Sequence, residues 1–318
     1  MNGGAQAQNL LIGGMRLEAE GIVSLELRPL PGEALPDWAA GAHIDLRLPS
    51  GQVRQYSLCG DPLERSFWRI AVLKEQAGRG GSREVHDGLR VGQVVGTGGP
   101  RNAFPLAAAC AYQFVAGGIG ITPILPMLLA AERAGVPWHL VYGGRSRSSM
   151  AFLEHLKRGT GSVQIQPADE CGPLDLDAIA ERAAAGAETY CCGPGGLLNA
   201  LTARFAAQEL QPRLHLERFA PVPSAPSSTE AALTLVLARS GQEVEVPPGC
   251  SLMEALRANG VEVPSSCEQG VCGMCETRVL DGVVDHRDML LTERERERNN
   301  VMMVCVSRAR TRTLLLDL

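Results

Sequence analysis

Four cysteines in the carboxyl-terminal part of the chain have the spacing of a metal–sulfur centre. Cys267, Cys272 and Cys275 follow one another with C-x4-C-x2-C spacing, and Cys305 comes after 29 intervening residues. Thiolates are soft ligands that suit iron, and this spacing is the plant-type pattern for a [2Fe-2S] cluster. The two glycines inside the segment would let the backbone wrap closely around the sulfurs. The four cysteines are therefore predicted to ligate a [2Fe-2S] cluster.

Two other uses of these cysteines are less consistent with the sequence. Structural zinc sites usually pair two C-x2–4-C knuckles, whereas only one such pair occurs here. A disulfide framework would require an oxidising compartment, and residues 1–14 lack the basic start and apolar core of a secretory signal. The protein is accordingly expected to be cytoplasmic, with a frayed start over residues 1–14.

The composition is that of an ordinary globular protein with room for two or three domains. The chain has 318 residues, of which 45% are hydrophobic and 20% charged. An uncharged run at 103–131 is long enough to cross a bilayer, but glycines and prolines interrupt it. A buried strand, loop and helix explain this run better, so no membrane contact is expected. The net charge of −5 argues against nucleic acid as a partner.

The elements that must position the cluster and its electron source can be read in chain order. Between about residues 15 and 105, short runs alternate apolar and polar residues between Gly/Pro-rich turns, which predicts an antiparallel β-barrel. The motif R-Q-Y-S occupies residues 54–57 of this region. Further on, G-R-G-G-S at 78–82 feeds a short helix, whose first N–H groups could bind an anion.

The segment from about 108 to 219 has a different pattern of apolar residues. Short apolar strands (YQFVAG, WHLVYG, SVQIQP and TYCC) alternate with helical patterns at 123–134, 149–157, 175–185 and 195–208. This alternation predicts a parallel α/β sheet, which binds ligands beyond the carboxyl ends of its strands. Two motifs fall at those ends, G-G-I-G-I-T-P at 117–123 and C-G-P at 192–194. Glycines there would let a pyrophosphate approach the backbone at a helix start.

The remaining residues divide into a linker and the cluster module. Residues 220–230 include an uncharged Pro/Ser/Ala tract that reads as a semi-rigid linker. The next two strands are joined through Ser240-Gly241 as a hairpin, and Ser251 and Glu254 form a capping box that starts a helix. A mixed-sign run at 292–298 is either a solvated helix face or a docking rim for a partner.

Taken together, these motifs resemble a known family. R-x-Y-S followed by G-R-G-G-S is similar to the flavin domain of the ferredoxin–NADP reductase superfamily, in the FMN-binding branch of phthalate dioxygenase reductase and vanillate O-demethylase reductase. G-G-I-G-I-T-P-I and C-G-P resemble the nucleotide motifs of that superfamily, and the hairpin, helix and cysteine loop resemble plant-type ferredoxins. The resemblance implies a multidomain chain with an antiparallel β-barrel flavin domain (1–107), an α/β parallel-sheet nucleotide domain (108–219), a linker (220–230) and a β-grasp [2Fe-2S] ferredoxin domain (231–318).

The resemblance also implies roles for individual residues. The Arg54 guanidinium would pair with the flavin phosphate, Tyr56 would pack on the isoalloxazine, and Ser57 and Cys192 would be the catalytic residues, near flavin N5 and nicotinamide C4. Phe219 would cover the flavin ring, and Arg145 would lie near the adenosine ribose. The other residues assigned to the flavin are Gln55, Val72, Leu73, Lys74, Gly80, Gly81 and Ser82, and those assigned to the nucleotide are Gly117, Gly118, Gly120, Thr122, Pro123, Gly193 and Pro194.

The implied function is electron supply to an oxygenase. NADH would deliver two electrons as a hydride, and a flavin can pass them on singly to the cluster. The acceptor implied by the family is a separate Rieske-type oxygenase, an aromatic dioxygenase or O-demethylase. NADH is expected as donor, although Arg145 leaves NADPH open. The alternatives are another acceptor, such as a quaternary-amine or di-iron monooxygenase, and a flavin/iron–sulfur redox sensor.

Overall fold

The computed structural model describes residues 7–76, 80–157, 159–219, 231–265, 268, 270, 273–288, 290–291 and 293–318. Contacts between residues divide the chain into two compact units, Met1–Arg218 and Phe219–Leu318. The first unit contains an antiparallel sheet followed by a parallel sheet, and the second contains a smaller mixed sheet. The order of these three sheets agrees with the predicted fold class.

The first sheet is antiparallel and curls towards closure. Its strand order is β4-β3-β6-β1-β2-β5, and a single bridge between Leu58 and Ile70 connects the two outermost strands. Alternate side chains point inward and form one core, as the apolar/polar alternation of the sequence predicts. The strands are β1 (Gln8–Ala19), β2 (Ile22–Pro29), β3 (Ala42–Arg47), β4 (Val53–Ser57), β5 (Trp68–Leu73) and β6 (Val94–Asn102), with helix α1 (Gly81–Gly88) between β5 and β6.

The expectation of a frayed start was wrong for part of its range. Residues from Gln8 onward already belong to β1, which pairs with both β2 and β6. Leu10 and Ile12 are fully buried in the barrel core. The apolar residues Leu10, Leu11 and Ile12 therefore belong to a strand. The neighbouring glycines do not prevent this strand from pairing with β2 and β6. Residues 1–6 lie outside the described part of the chain.

The second sheet is parallel in every pair, with the order β11-β10-β7-β8-β9. The central strand β7 is buried along its whole length, because helices or the barrel cover both faces of the sheet. Its strands are β7 (Tyr112–Gly117), β8 (Trp138–Gly144), β9 (Ser162–Pro167), β10 (Glu188–Cys192) and β11 (Leu214–Glu217), and its helices are α2 (Ile121–Arg133), α3 (Leu153–Leu156), α4 (Ala168–Cys171), α5 (Leu176–Ala184) and α6 (Gly195–Ala207).

The uncharged run at 103–131 forms β7, a 3-10 turn and most of α2, as predicted. Among the described helices, none has the length and apolar character needed to cross a bilayer. One hydrophobic cluster spans the barrel and the parallel sheet, since Ala40 and Phe104 belong to it together with Phe114 and Tyr190. The backbone N–H of Glu20 also donates to the carbonyl of Ser148 at 2.9 Å. These contacts hold the two sheets of the first unit together.

The second unit has a mixed sheet with the order β13-β12-β18-β14-β16, in which β12 and β18 are parallel. The predicted hairpin is the pair β12 and β13, and Ser251 and Glu254 form the predicted capping box. The elements are β12 (Leu233–Leu237), β13 (Glu243–Val246), α7 (Leu252–Ala258), β14 (Glu276–Asp281), β15 (Val284–Asp285), α8 (Glu293–Arg298), β16 (Val301–Met303), β17 (Arg308–Ala309) and β18 (Thr313–Leu316).

Candidate functional site

The two motifs predicted to bind the flavin meet at the start of α1. Gly81, the first residue of α1, is buried against the side chain of Arg54 on β4. A Cβ on Gly81 would lie only 2.7 Å from the Nε atom of Arg54. The Arg54 guanidinium is further held by the carbonyl of Val53, to which Nη1 donates at 2.8 Å, and by the side chain of Gln52. The fold thus places a fixed cation beside the first turn of a helix.

The start of α1 is suited to an anion. Gly80 precedes it with a φ of 91°, a left-handed conformation that favours glycine. No described side chain caps this helix start, so its first N–H groups are available for a phosphate. The hydroxyl of Ser82 accepts a hydrogen bond from the N–H of Glu75 at 3.0 Å, which ties the start of α1 to the chain that follows β5. Gly78 and Arg79 of the motif lie outside the described residues.

Residues 54–57 alternate between the two faces of β4. Tyr56 packs against the barrel core, on the same face as Arg54. Gln55 faces the other way and donates to the carboxylate of Asp45 at 3.1 Å, while Ser57 is buried at the end of the strand. Burial raises the pKa of Tyr56 above its ordinary value, so the phenol is neutral. Alternation along β4 therefore places Gln55 on the opposite face of the strand from Arg54 and Tyr56.

The predicted residues at the end of β5 have mainly structural partners in the described chain. Val72 is buried, and its carbonyl is 2.9 Å from Nε2 of His86 on α1. The backbone N–H of Lys74 donates to the carbonyl of Gly21, and its ammonium pairs with Asp87 at 2.7 Å. Leu73 packs against the cluster that spans the two sheets. These contacts tie β5 to the last turn of α1.

The two nucleotide motifs pack tightly against each other at the carboxyl edge of the parallel sheet. Strands β7 and β10 are neighbours, and Ala116 lies opposite Cys192. A Cβ on Gly120 would overlap the carbonyl oxygen of Cys192, and a Cβ on Gly117 would lie 2.6 Å from the Cδ atom of Pro194. A Cβ on Gly193 would lie 3.0 Å from the backbone of Gly117. The glycines are thus required by a close backbone approach, which brings both motifs to one edge.

The remaining residues of the glycine motif shape the start of α2. Gly118 has a φ of 55° and begins a 3-10 turn that leads into the helix. The hydroxyl of Thr122 is buried and donates to the carbonyl of Ile119 at 3.0 Å. Pro123 lies in the first turn of α2, where its missing N–H costs no hydrogen bond, as predicted. The loop is rigid and presents a helix N-terminus at the sheet edge.

A buried acid beside Cys192 was not singled out from the sequence. Glu217 ends β11 directly opposite Cys192 of β10, and its Oε2 atom is buried with no hydrogen-bond partner among the described residues. Burial raises the pKa of Glu217 to about 8, and burial, together with this carboxyl, raises the pKa of Cys192 well above its ordinary value. The only signal in the sequence was an acid at the end of a short strand, L-H-L-E, next to the predicted nicotinamide site.

The two arginines after β8 differ in their surroundings. Arg147 forms a two-pronged ion pair with Glu170, with Nη2 at 2.8 Å and Nε at 3.2 Å from the carboxylate oxygens. Arg145 is exposed, and its carbonyl accepts from the N–H of Asp169 at 3.2 Å. Of the two guanidiniums, therefore, Arg147 is the one already neutralised by a carboxylate.

Phe219, predicted to cover the flavin, is 41% exposed.

Two of the four predicted cluster ligands lie in the described residues, and the fold brings them together. Cys275 precedes β14 and Cys305 follows β16, and these strands pair with Glu276 opposite Met303. Both thiols are buried, with their Sγ atoms 3.0 Å apart. This distance is far longer than the ~2.05 Å of a disulfide bond between the two sulfurs. Cys267 and Cys272 lie outside the described residues.

The backbone around these thiols fits a cluster loop. Gly270 and Gly273 have φ angles of 69° and 75°, so both adopt the left-handed conformation that glycine favours. A Cβ on Gly270 would lie 2.6 Å from Cγ2 of Val306, the residue after Cys305. The loop and the fourth cysteine therefore pack too closely to admit a side chain. Two soft thiol ligands in a buried, closely wrapped site suit an iron–sulfur cluster.

Comparison with known proteins identifies an iron–sulfur domain and relatives along nearly the whole chain. The model of the 2Fe-2S iron-sulfur cluster binding domain matches residues 235–310. Phenoxybenzoate dioxygenase subunit beta of Ectopseudomonas oleovorans is 46% identical over 303 residues, which are 94% of this chain and 94% of that protein. Vanillate O-demethylase oxidoreductase of a Pseudomonas species (strain HR199) is 41% identical, covering 97% of this chain and 99% of the relative.

Solved structures extend the comparison to the fold. An intact type IV self-sufficient cytochrome P450 monooxygenase matches 98% of this chain and 41% of its own length, with 42% identity and a TM-score of 0.89. Phthalate dioxygenase reductase, a modular structure for electron transfer from pyridine nucleotides to [2Fe-2S], matches 98% of both chains with 35% identity and a TM-score of 0.71. Since such identity extends over nearly the whole length, the chain belongs to the phthalate dioxygenase reductase-like family of flavin and [2Fe-2S] oxidoreductases.

Proposed function

We propose that this protein is the reductase component of a multicomponent oxygenase, using NADH, FMN and a [2Fe-2S] cluster to supply single electrons to a separate Rieske-type oxygenase. The observation that carries the proposal is the meeting of the glycine motif with Cys192 at one edge of the parallel sheet. This edge lies in the same compact unit as the contact between Arg54 and Gly81. One unit therefore offers sites for both a dinucleotide and a flavin.

The residues of the barrel would bind and orient the flavin. Arg54 and the first N–H groups of α1 would hold the FMN phosphate, since a guanidinium and a helix start both favour a phosphate. Gly80 and Gly81 would let the backbone approach that phosphate, and Ser82 holds the start of α1 through Glu75. Tyr56 would pack on the ring and Ser57 would lie near its reactive edge. When bound, the flavin supplies the exchange between hydride and single-electron chemistry.

The residues of the sheet edge would orient the nicotinamide. Gly117, Gly118 and Gly120 leave room for the pyrophosphate at the start of α2, and Thr122 and Pro123 hold that start rigid. Cys192 points to the sheet face that carries Tyr190 and the cluster shared with the barrel. From this face its neutral thiol would contact the nicotinamide. Glu217, held protonated by burial near neutral pH, would keep the thiol oriented and exclude water.

The residues of the second unit would carry the exit site for electrons. Cys275 and Cys305, with Cys267 and Cys272, would hold the cluster as thiolates. We assign the domains as flavin barrel 1–107, nucleotide domain 108–219, linker 220–230 and ferredoxin domain 231–318. Arg145 would contact the adenosine ribose, and Phe219 would cover the flavin.

A haem oxygenase is a second candidate acceptor. The structural match of 42% identity lies within a cytochrome P450 monooxygenase, where the similar segment is part of the same chain as its P450. The Rieske-type acceptor is favoured because phenoxybenzoate dioxygenase and vanillate O-demethylase components are similar over nearly their whole length. Reduction of purified Rieske and haem oxygenases by the same enzyme preparation would rank the two acceptors.

The function can be tested with purified protein reconstituted with FMN, iron and sulfide. The proposal expects visible absorbance from flavin and iron–sulfur, and NADH-dependent reduction of cytochrome c as a one-electron acceptor. Cys305→Ser should abolish cytochrome c reduction while NADH still reduces the flavin. The exposed Cys110→Ser, which changes a thiol away from the site, is the matched control. A protein that contains zinc alone and no flavin would exclude the proposed function.

A further inference from the structure

A charged group is buried beside the cysteine loop of the second unit. Asp288 has a side chain with no exposed surface, and its carboxylate lies 3.8 Å from Nη2 of Arg296 and 3.7 Å from Nδ1 of His286. Arg296 belongs to α8, the helix formed by the mixed-charge run. Its Nη2 atom also donates to the carbonyl of Asp288 at 2.6 Å. One arginine of this run therefore turns inward, whereas the run was expected to form a solvated face or a docking rim.

Asp288 fixes the turn that follows it. Its Oδ2 atom accepts hydrogen bonds from the N–H groups of Leu290 at 3.1 Å and Leu291 at 2.8 Å. Burying a carboxylate is costly unless it is paired and hydrogen-bonded, so these donors and Arg296 offset the loss of water. The carboxylate thus links Arg296 of α8 to the backbone of Leu290 and Leu291.

This turn forms a wall of the cysteine loop. A Cβ on Gly270, which lies between Cys267 and Cys272, would be 3.1 Å from the Cα atom of Asp288. A Cβ on Gly273, which lies between Cys272 and Cys275, would be 3.5 Å from Cδ1 of Leu290. Both glycines of the loop therefore rest on the segment that Asp288 holds in place.

We propose that Asp288 and Arg296 are positioning residues of the iron–sulfur site, holding the wall of the cysteine loop and setting the charge beside the cluster. This inference rests on the proposed function, because it requires a cluster at the four cysteines. One-electron reduction, with the flavin as donor, adds one negative charge to the cluster and requires no proton. A nearby positive charge favours that state and a nearby negative charge opposes it, and the buried carboxylate of Asp288 is screened less than an exposed charge would be.

The opposite charges give opposite expectations for the reduction potential of the cluster. Asp288→Asn keeps an oxygen that can accept from Leu290 and Leu291 but leaves Arg296 uncompensated, so the potential should rise. Arg296→Gln leaves the carboxylate uncompensated, so the potential should fall, and Arg296→Lys should return it towards the wild-type value. Asp288→Ala also removes the acceptor and should lower the iron and sulfide content per protein.

The measurement is a redox titration of the full-length, cluster-loaded protein followed by electron paramagnetic resonance. Arg298→Gln is the matched control, since Arg298 is exposed on the same helix and the change in charge is identical. The inference is overturned if Asp288→Asn and Arg296→Gln change the reduction potential of the cluster no more than Arg298→Gln does. It is also overturned if Asp288→Asn and Arg296→Gln change that potential in the same direction. If Asp288→Asn loses its cluster, Arg296→Gln and Arg296→Lys still decide the sign. Absence of a cluster signal from wild-type protein would instead refute the proposed function.

Discussion

Cys192 and Glu217 lie opposite each other on two neighbouring parallel strands, and the Oε2 atom of Glu217 is buried there without a hydrogen-bond partner among the described residues. A glutamate at this depth keeps its proton near neutral pH because burial penalises the charged form. The thiol is likewise neutral, since burial raises its pKa. The edge at which we place the nicotinamide is therefore lined by two neighbouring groups that are both uncharged.

Glu217 should make the stability of the first unit depend on pH. Its pKa is about 8 in the folded chain and close to the ordinary 4.5 when unfolded. The folded state therefore holds a proton that the unfolded state loses, and the free energy of unfolding should fall as pH rises from about 4.5 to about 8, by on the order of a few kcal/mol. Urea unfolding across this range should show a flatter dependence for Glu217→Gln. An equal slope in both proteins would contradict the buried, protonated carboxyl.

Gly120→Ala should disrupt the junction of the two nucleotide motifs. The added methyl group would overlap the carbonyl oxygen of Cys192, and a backbone atom cannot move aside as a flexible side chain can. We expect a loss of about 1–3 kcal/mol of stability and a raised KM for NADH. Gly196→Ala is the matched control in α6, where no atom lies within 4 Å, and should stabilise by about 0.5–1 kcal/mol. Similar effects of both substitutions on KM would argue against the junction as the nucleotide site.

Arg54→Ala should weaken FMN binding. Losing a hydrogen-bonded charge pair with a phosphate costs about 1.5–3 kcal/mol, which corresponds to a roughly 10- to 100-fold higher Kd. Fluorescence titration of flavin-depleted protein would measure this change. Arg47→Ala, an exposed arginine on the adjacent strand β3, is the control and should bind FMN normally. Unchanged flavin occupancy in Arg54→Ala would rule out the phosphate role of Arg54.

Glu170→Gln should shift the choice of nucleotide towards NADPH. Arg147 is now neutralised by Glu170, and removing that carboxylate would leave a guanidinium free to meet a 2′-phosphate. We expect the ratio of kcat/KM for NADH to that for NADPH to fall only modestly, since solvent screens an exposed charge. Asp169→Asn, an exposed neighbour of the same charge, is the control. An unchanged ratio would show that Arg147 does not contribute to the choice of nucleotide.

Local backbone requirements made much of this protein readable from its sequence. The glycines at 117 and 120 are needed where two chain segments almost touch, and Pro123 fits a first helical turn, so the nucleotide motif could be recognised without its partner strand. The hairpin at Ser240-Gly241 and the capping box at Ser251 depend on residues within a few positions of one another. The spacing of the four cysteines similarly identifies them as ligands of one centre, because the loop must wrap around that centre.

Tertiary structure alone decided which distant residues became neighbours. The sequence could not place Glu217 beside Cys192, since the register of two parallel strands is set by packing along the whole sheet. It also could not distinguish Arg296 from Arg298 in an alternating run, because only the position of α8 against the turn at Asp288 gives one of them a buried partner. The contact of Arg54 with Gly81 depends likewise on how α1 closes the barrel. Sequence thus determined the chemistry available to this protein, and folding determined which groups share a site.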